Sequence, residues 1–89
     1  MTPRYQPLQK IIRKADVLNI LAISKSTLFN RINSGLLPPS IPLGGRAVGW
    51  LESEIEAVLN ALINNTPPSE LSILVTDLIA TRKSLIRRK

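Results

Sequence analysis

The sequence predicts a mainly α-helical domain carrying one small β-hairpin, and three observations predict it. Apolar residues recur at helical spacing in four separate stretches. A Gly44-Gly45 pair stands between two short β-prone runs. Caps and breakers punctuate the rest: Ser24 opens one helical stretch, Gly35 closes it, and Pro38-Pro39 and Pro67-Pro68 separate others. A chain of 89 residues makes one small domain with a modest core.

Each element follows in order. "QKIIR" (Gln9 to Arg13) is a short β-like run after Pro7. In "KADVLNILA", Val17, Leu18 and Leu21 recur at helical spacing, and Asp16 in the first turn complements the helix dipole. A tight turn at Ala22 and Ile23 leads to Ser24, a good N-cap, and to "SKSTLFNRINSG". There Leu28, Phe29 and Ile32 share the buried face until Gly35 stops the helix. Two short helices joined by so brief a turn read as a helix-turn-helix.

"LLPPSIPLGGRAVGW" continues with Ile41 and Leu43 on one side of Gly44-Gly45, and Ala47, Val48 and Trp50 on the other. The Gly-Gly pair accepts the positive φ of a primed turn, which makes the segment a hairpin with Pro42 on an edge position and Arg46 beside the tip. "LESEIEAVLNALI" is an amphipathic helix with Leu51, Ile55, Val58, Leu59 and Leu62 inward and its three glutamates outward. After the break "NNTPPSE", a last helix from about Ser69 to Arg87 repeats Leu71, Leu74, Val75, Leu78, Ile79, Leu85 and Ile86 as a second apolar stripe, interrupted by Arg82. The expected division is residues 1–65 as one domain and 66–89 as an added helix.

Composition narrows the function. Cysteine and histidine are absent, which removes disulfides, the common zinc-ligand sets and the commonest general base. Tyr5 has no catalytic set around it, so the chain is read as no enzyme, with no metal and no cofactor. No segment approaches the ~20 apolar residues of a membrane span, and the N-terminus lacks the apolar run of a signal peptide. The expectation is a cytoplasmic protein without a membrane partner. A formal charge of +6 favours a polyanion. Residues 1–49 carry seven Lys or Arg against Asp16, residues 50–65 carry three Glu and no base, and no acid occurs between Val17 and Leu51.

Within that acid-free stretch, the helix opened by Ser24 offers Lys25, Ser26, Thr27, Asn30, Arg31, Asn33 and Ser34 on its outer side. Ser26 and Asn30 point almost opposite Leu28 and Ile32. Short hydrogen-bonding side chains of this kind suit the DNA major groove, where Asn reads adenine, Arg reads guanine, and Ser or Thr reaches bases or phosphates. Backbone N–H groups at the helix N-terminus beside Lys25 add a phosphate site. Taken alone, the same residues would equally cap and solvate a short helix. The hairpin decides between the two: an Arg46-tipped wing beside a helix-turn-helix is a winged helix-turn-helix, in which the arginine reaches phosphates or a narrow minor groove.

The order "KIIRKADVLNILAISKSTLFNRINSG" then "LPPSIPLGGRAVGWLESEIEAVL" resembles the AlpA-like family of small phage and mobile-element regulators, which overlaps with the MerR-like winged-helix excisionases. The resemblance spans roughly residues 9 to 63, and "SKSTLF" and "GGRAVGWLESEIEAVL" are its most specific parts. It implies recognition-helix contacts at Lys25, Ser26, Thr27, Asn30 and Arg31, a wing contact at Arg46, and Trp50 as a core anchor between wing and following helix. The chain departs from the family pattern at Ala22, often Gly, at Phe29, often Tyr, and at Val58, often Trp.

Sequence-specific binding of double-stranded DNA therefore accounts for most features. The resemblance implies one of two uses: a recombination directionality factor (excisionase) that binds adjacent sites near an attachment site for an integrase, or a dedicated transcriptional regulator of mobile-element genes. The excisionase use, with transcription control alongside, is the preferred expectation, in a bacterial cytoplasm and at the nucleoid. The second apolar stripe needs a surface, either its own domain or a neighbouring protomer. Two prolines stiffen the "NNTPP" connection and favour docking elsewhere. Self-association through Leu71, Leu74, Val75, Leu78, Ile79 and Leu85, giving a homo-oligomer on DNA, is thus expected, with an integrase-contacting helix as the competing reading.

Overall fold

The computed structural model of the protein describes residues 9–86, with side chains through residue 82. The element order is β1 (Ile11–Ile12), α1 (Lys14–Leu21), α2 (Lys25–Asn33), β2 (Ile41–Gly44), β3 (Ala47–Leu51), α3 (Glu52–Ile63) and α4 (Pro68–Ile86). This is the expected mainly α fold: a helix-turn-helix, a hairpin wing and a further C-terminal helix. Tyr5 and the terminal Arg87, Arg88 and Lys89 lie outside the described residues, as does the side chain of Leu85.

Local chemistry explains the short helices. At the start of α1 the Arg13 amide donates to Asp16 Oδ2 at 3.0 Å. α1 ends at Ala22, which adopts the left-handed conformation at φ 55, and the Ile23 amide closes the turn on Leu18 O at 3.1 Å. Gly35, at φ 77, ends α2, with the Leu36 amide donating to Arg31 O at 2.8 Å.

The sheet has the order β1-β3-β2 and is antiparallel throughout. β1 adds a third strand to the hairpin, pairing Ile11 with Leu51 and Ile12 with Trp50. Pro42 lies on edge strand β2, as its missing N–H requires. The turn is displaced by one residue from the expected place. Gly44 still pairs with Ala47, so Gly45 and Arg46 form the turn itself, and Leu43 is the extra residue of a bulge between the Pro42 and Gly44 pairs.

One core unites the chain: Ile12, Val17, Leu28, Leu37, Trp50, Ile55, Val58, Leu71 and Val75 are buried together. Three expectations are corrected here. Phe29 does not join the buried face of α2; the residue is 44% exposed. The glutamates of α3 do not all face outward, because Glu54 is buried against Arg82. Most consequential, the second apolar stripe turns part of itself inward and does not leave its centre to another protomer. Leu71 and Val75 are 4% and 2% exposed within the chain's own core, with Leu74, Leu78 and Ile79 packed against it. The physical reason lies in the break. Asn65 takes a left-handed conformation at φ 57, and the Thr66 amide donates back to Ala61 O at 2.9 Å, so the chain reverses before Pro67. Pro68 then occupies the first position of α4, where a missing N–H costs nothing.

Candidate nucleic-acid interface

The start of α2 is built by one hydroxyl. Ser24 Oγ accepts the Thr27 amide at 3.2 Å and donates to Thr27 Oγ1 at 3.0 Å. Leu28 is fully buried, which anchors the helix by one side and fixes what the other side presents. Lys25, Ser26 and Asn30 are exposed there, joined by Asn33 and Ser34. Thr27 and Arg31 are half-buried on the flank. Thr27 therefore serves the cap first, and its hydroxyl is already engaged by Ser24.

The wing places Arg46 in the exposed turn after Gly45, whose φ of 55 the turn requires. Its base is fastened to the helix-turn-helix, because Arg13 Nε donates to Val48 O at 3.1 Å. Among the described residues two ion pairs occur, Lys10 with Glu52 at 3.7 Å and Arg82 with Glu54 at 2.7 Å. Lys25, Arg31 and Arg46 take part in neither, so their charges are uncompensated by carboxylates of the described chain. Unpaired cations of this kind favour a polyanion, because neutralising its phosphates releases the counterions condensed on it.

Sequence reasoning missed two residues. Lys14 Nζ stands 5.6 Å from the centroid of the exposed Phe29 ring, a cation–π pair that joins α1 to α2. The available signal was the helical wheel: at about 100° per residue, Phe29 falls at the edge of the Leu28/Ile32 stripe, towards Ser26 and Asn33, and not at its centre. Among the described residues no cluster of three or more acidic residues is placed to hold a metal ion, and no helix is long and apolar enough to cross a membrane.

A capped, acid-free second helix and an arginine-tipped hairpin on one core make this a winged helix-turn-helix protein. Residues 10–61, more than half of the chain, match the family model described as "Prophage CP4-57 regulatory protein (AlpA)", and the chain belongs to this AlpA family. It is also 37% identical over 49 residues to a protein of Enterobacteria phage P4 described as "Uncharacterized protein ORF88". That similarity covers 55% of this chain and 56% of the phage P4 protein, so it spans about half of the relative's length. No solved structure matches the chain. α4 lies beyond the family match.

Proposed function

We propose that the protein is a sequence-specific regulator of a mobile genetic element that inserts α2 into the major groove of double-stranded DNA. Lys25, Ser26, Asn30 and Arg31 make the groove and phosphate contacts, Thr27 holds the helix start, and Arg46 reaches the backbone or a narrow minor groove from the wing. The observation that carries this reading is the capped, acid-free outer face of α2, whose cations pair with no carboxylate among the described residues.

Control of transcription is the reading that the family's description as a regulatory protein supports. An excision role uses the same interface, and the overlap of the AlpA-like family with winged-helix excisionases supports it as the second reading. That role also requires adjacent sites and an integrase contact. Any homo-oligomer on DNA would then draw on surfaces other than the buried Leu71 and Val75. Footprinting on the element's attachment region and on the protein's own promoter tests both. Protection confined to a promoter supports regulation, several adjacent protected sites at the attachment region support excision, and no protection on either defeats the DNA-binding reading.

A further inference from the structure

We infer that Arg82 of α4 is a positioning residue for the wing. The segment that leads from α2 into the hairpin, Leu36 to Ser40, contains two consecutive prolines and so lacks two of the amides that would otherwise tie it down. Two side chains from elsewhere hold it by its carbonyls instead. Trp50 Nε1 donates to Pro38 O at 3.1 Å, and Arg82 Nη2 donates to Pro39 O at 2.8 Å. The Pro39 carbonyl comes two residues before β2 begins at Ile41, so the guanidinium sits at the root of the wing.

Arg82 is itself held in place. Its Nε lies 3.1 and 2.9 Å from the two carboxylate oxygens of Glu54, and its Nη2 lies 2.7 Å from Glu54 Oε1. The side chains are 15% and 4% exposed, so this forked pair is shielded from water and geometrically defined. Glu54 stands in the first turn of α3, directly after β3. One guanidinium therefore joins α4 and the wing's exit helix to the wing's entry segment. Lysine could not replace it, having no planar fork to engage a carboxylate and a carbonyl together. The residue lies outside the stretch matched by the family model, so α4 acts on the wing through the chain's own fold.

The inference rests on reading the hairpin as a DNA-contacting wing, and the experiment separates the two. Two variants of the full chain are compared with wild type: Arg82→Lys, and Glu54→Met with Arg82→Met, which removes the pair without leaving a lone buried charge. In the free protein, amide hydrogen exchange of the hairpin is expected to rise in both variants, while that of α1 and α2 stays unchanged. This readout needs no DNA and no assumption about Arg46. On duplex DNA, each variant is expected to weaken binding and to make the salt dependence shallower by about one unit, as Arg46→Ala does. Placed in an Arg46→Ala background, neither variant is expected to weaken binding further. Unchanged hairpin exchange, a uniform rise over the whole chain, an equal loss with and without Arg46, or failure of both variants to fold would each overturn the inference. Increased hairpin exchange together with wild-type binding by Arg46→Ala would retain the positioning of the hairpin and reject its role as a wing.

Discussion

In the proposed interface Asn30 and Arg46 divide the work, one reading a base and the other holding the backbone. Asn30 is exposed on the outer face of α2, where an amide can pair with one base edge. Asn30→Ala is expected to cost about 1–3 kcal/mol on the cognate site and little on random DNA, whereas Arg46→Ala weakens both. Titrations at several salt concentrations check this, and equal losses on both DNAs for Asn30→Ala would remove its base-reading role. Trp50 works differently: it is 1% exposed and its indole N–H holds Pro38 O. Trp50→Ala is expected to cost roughly 3–5 kcal/mol and to abolish binding by unfolding, which a melting curve reveals. Ala22 offers the opposite change. It holds a left-handed conformation at φ 55 on an exposed turn, a strain that glycine would not feel. Ala22→Gly is expected to stabilise by about 0.5–1 kcal/mol, raising the melting temperature by several degrees without altering DNA affinity.

The sheet sets the close packing of the elements, and Gly49 shows how close. A Cβ there would lie 2.6 Å from Ile11 Cγ2, 3.0 Å from the Ile12 carbonyl oxygen and 3.1 Å from Leu43 Cδ1. The Ile11 methyl is carried on a branched Cβ and moves only with a stiff χ1, and the carbonyl belongs to the β1 backbone. Gly49→Ala should therefore destabilise by about 1–3 kcal/mol. Adding Ile11→Ala should recover part of that loss in the same denaturation experiment. Most elements were legible in the sequence because each is locally determined: Ser24 and Gly35 bound α2, and helical spacing marks α3 and α4. Tertiary choices were less legible. A two-residue β1 carries too little pattern to announce its pairing with β3, and the hairpin turn moved by one residue because the Leu43 bulge consumes an extra position. Glu54 looked like its solvent-facing neighbours because its partner, Arg82, is 28 residues away. The outer-face residues of α2 were read from the wheel, which also puts Phe29 at the edge of the buried stripe, whereas its cation–π partner Lys14 comes from a different helix.

At the scale of the whole molecule, the decisive fact is that α4 completes the core. Leu71 and Val75 are buried beside Ile55 and Val58, and Arg82 neutralises Glu54. Half a dozen aliphatic side chains sharing a helical stripe would satisfy an internal groove or a second protomer equally well, which is why periodicity alone could not choose between them. Geometry chose: the left-handed Asn65 reverses the chain, and the reversed helix brings Arg82 to Glu54. Removal of α4 by truncation after Asn65 consequently does two kinds of harm. It returns Leu71, Val75 and their partly buried neighbours to nothing, exposing apolar core that contributes ~1.5–3 kcal/mol per side chain. It also removes Arg82 and with it the shielded ion pair that ties Glu54 of α3 and the Pro39 carbonyl to α4. Against a total stability of about 5–15 kcal/mol for a small domain, the truncated chain is expected to be unfolded at 25 °C and to bind neither a single DNA site nor an array. Far-ultraviolet circular dichroism and a single-site binding titration check this together. A truncated chain that keeps its helicity and binds one site nearly as the full chain does, losing only cooperativity on an array, would mean that α4 serves association and not the core.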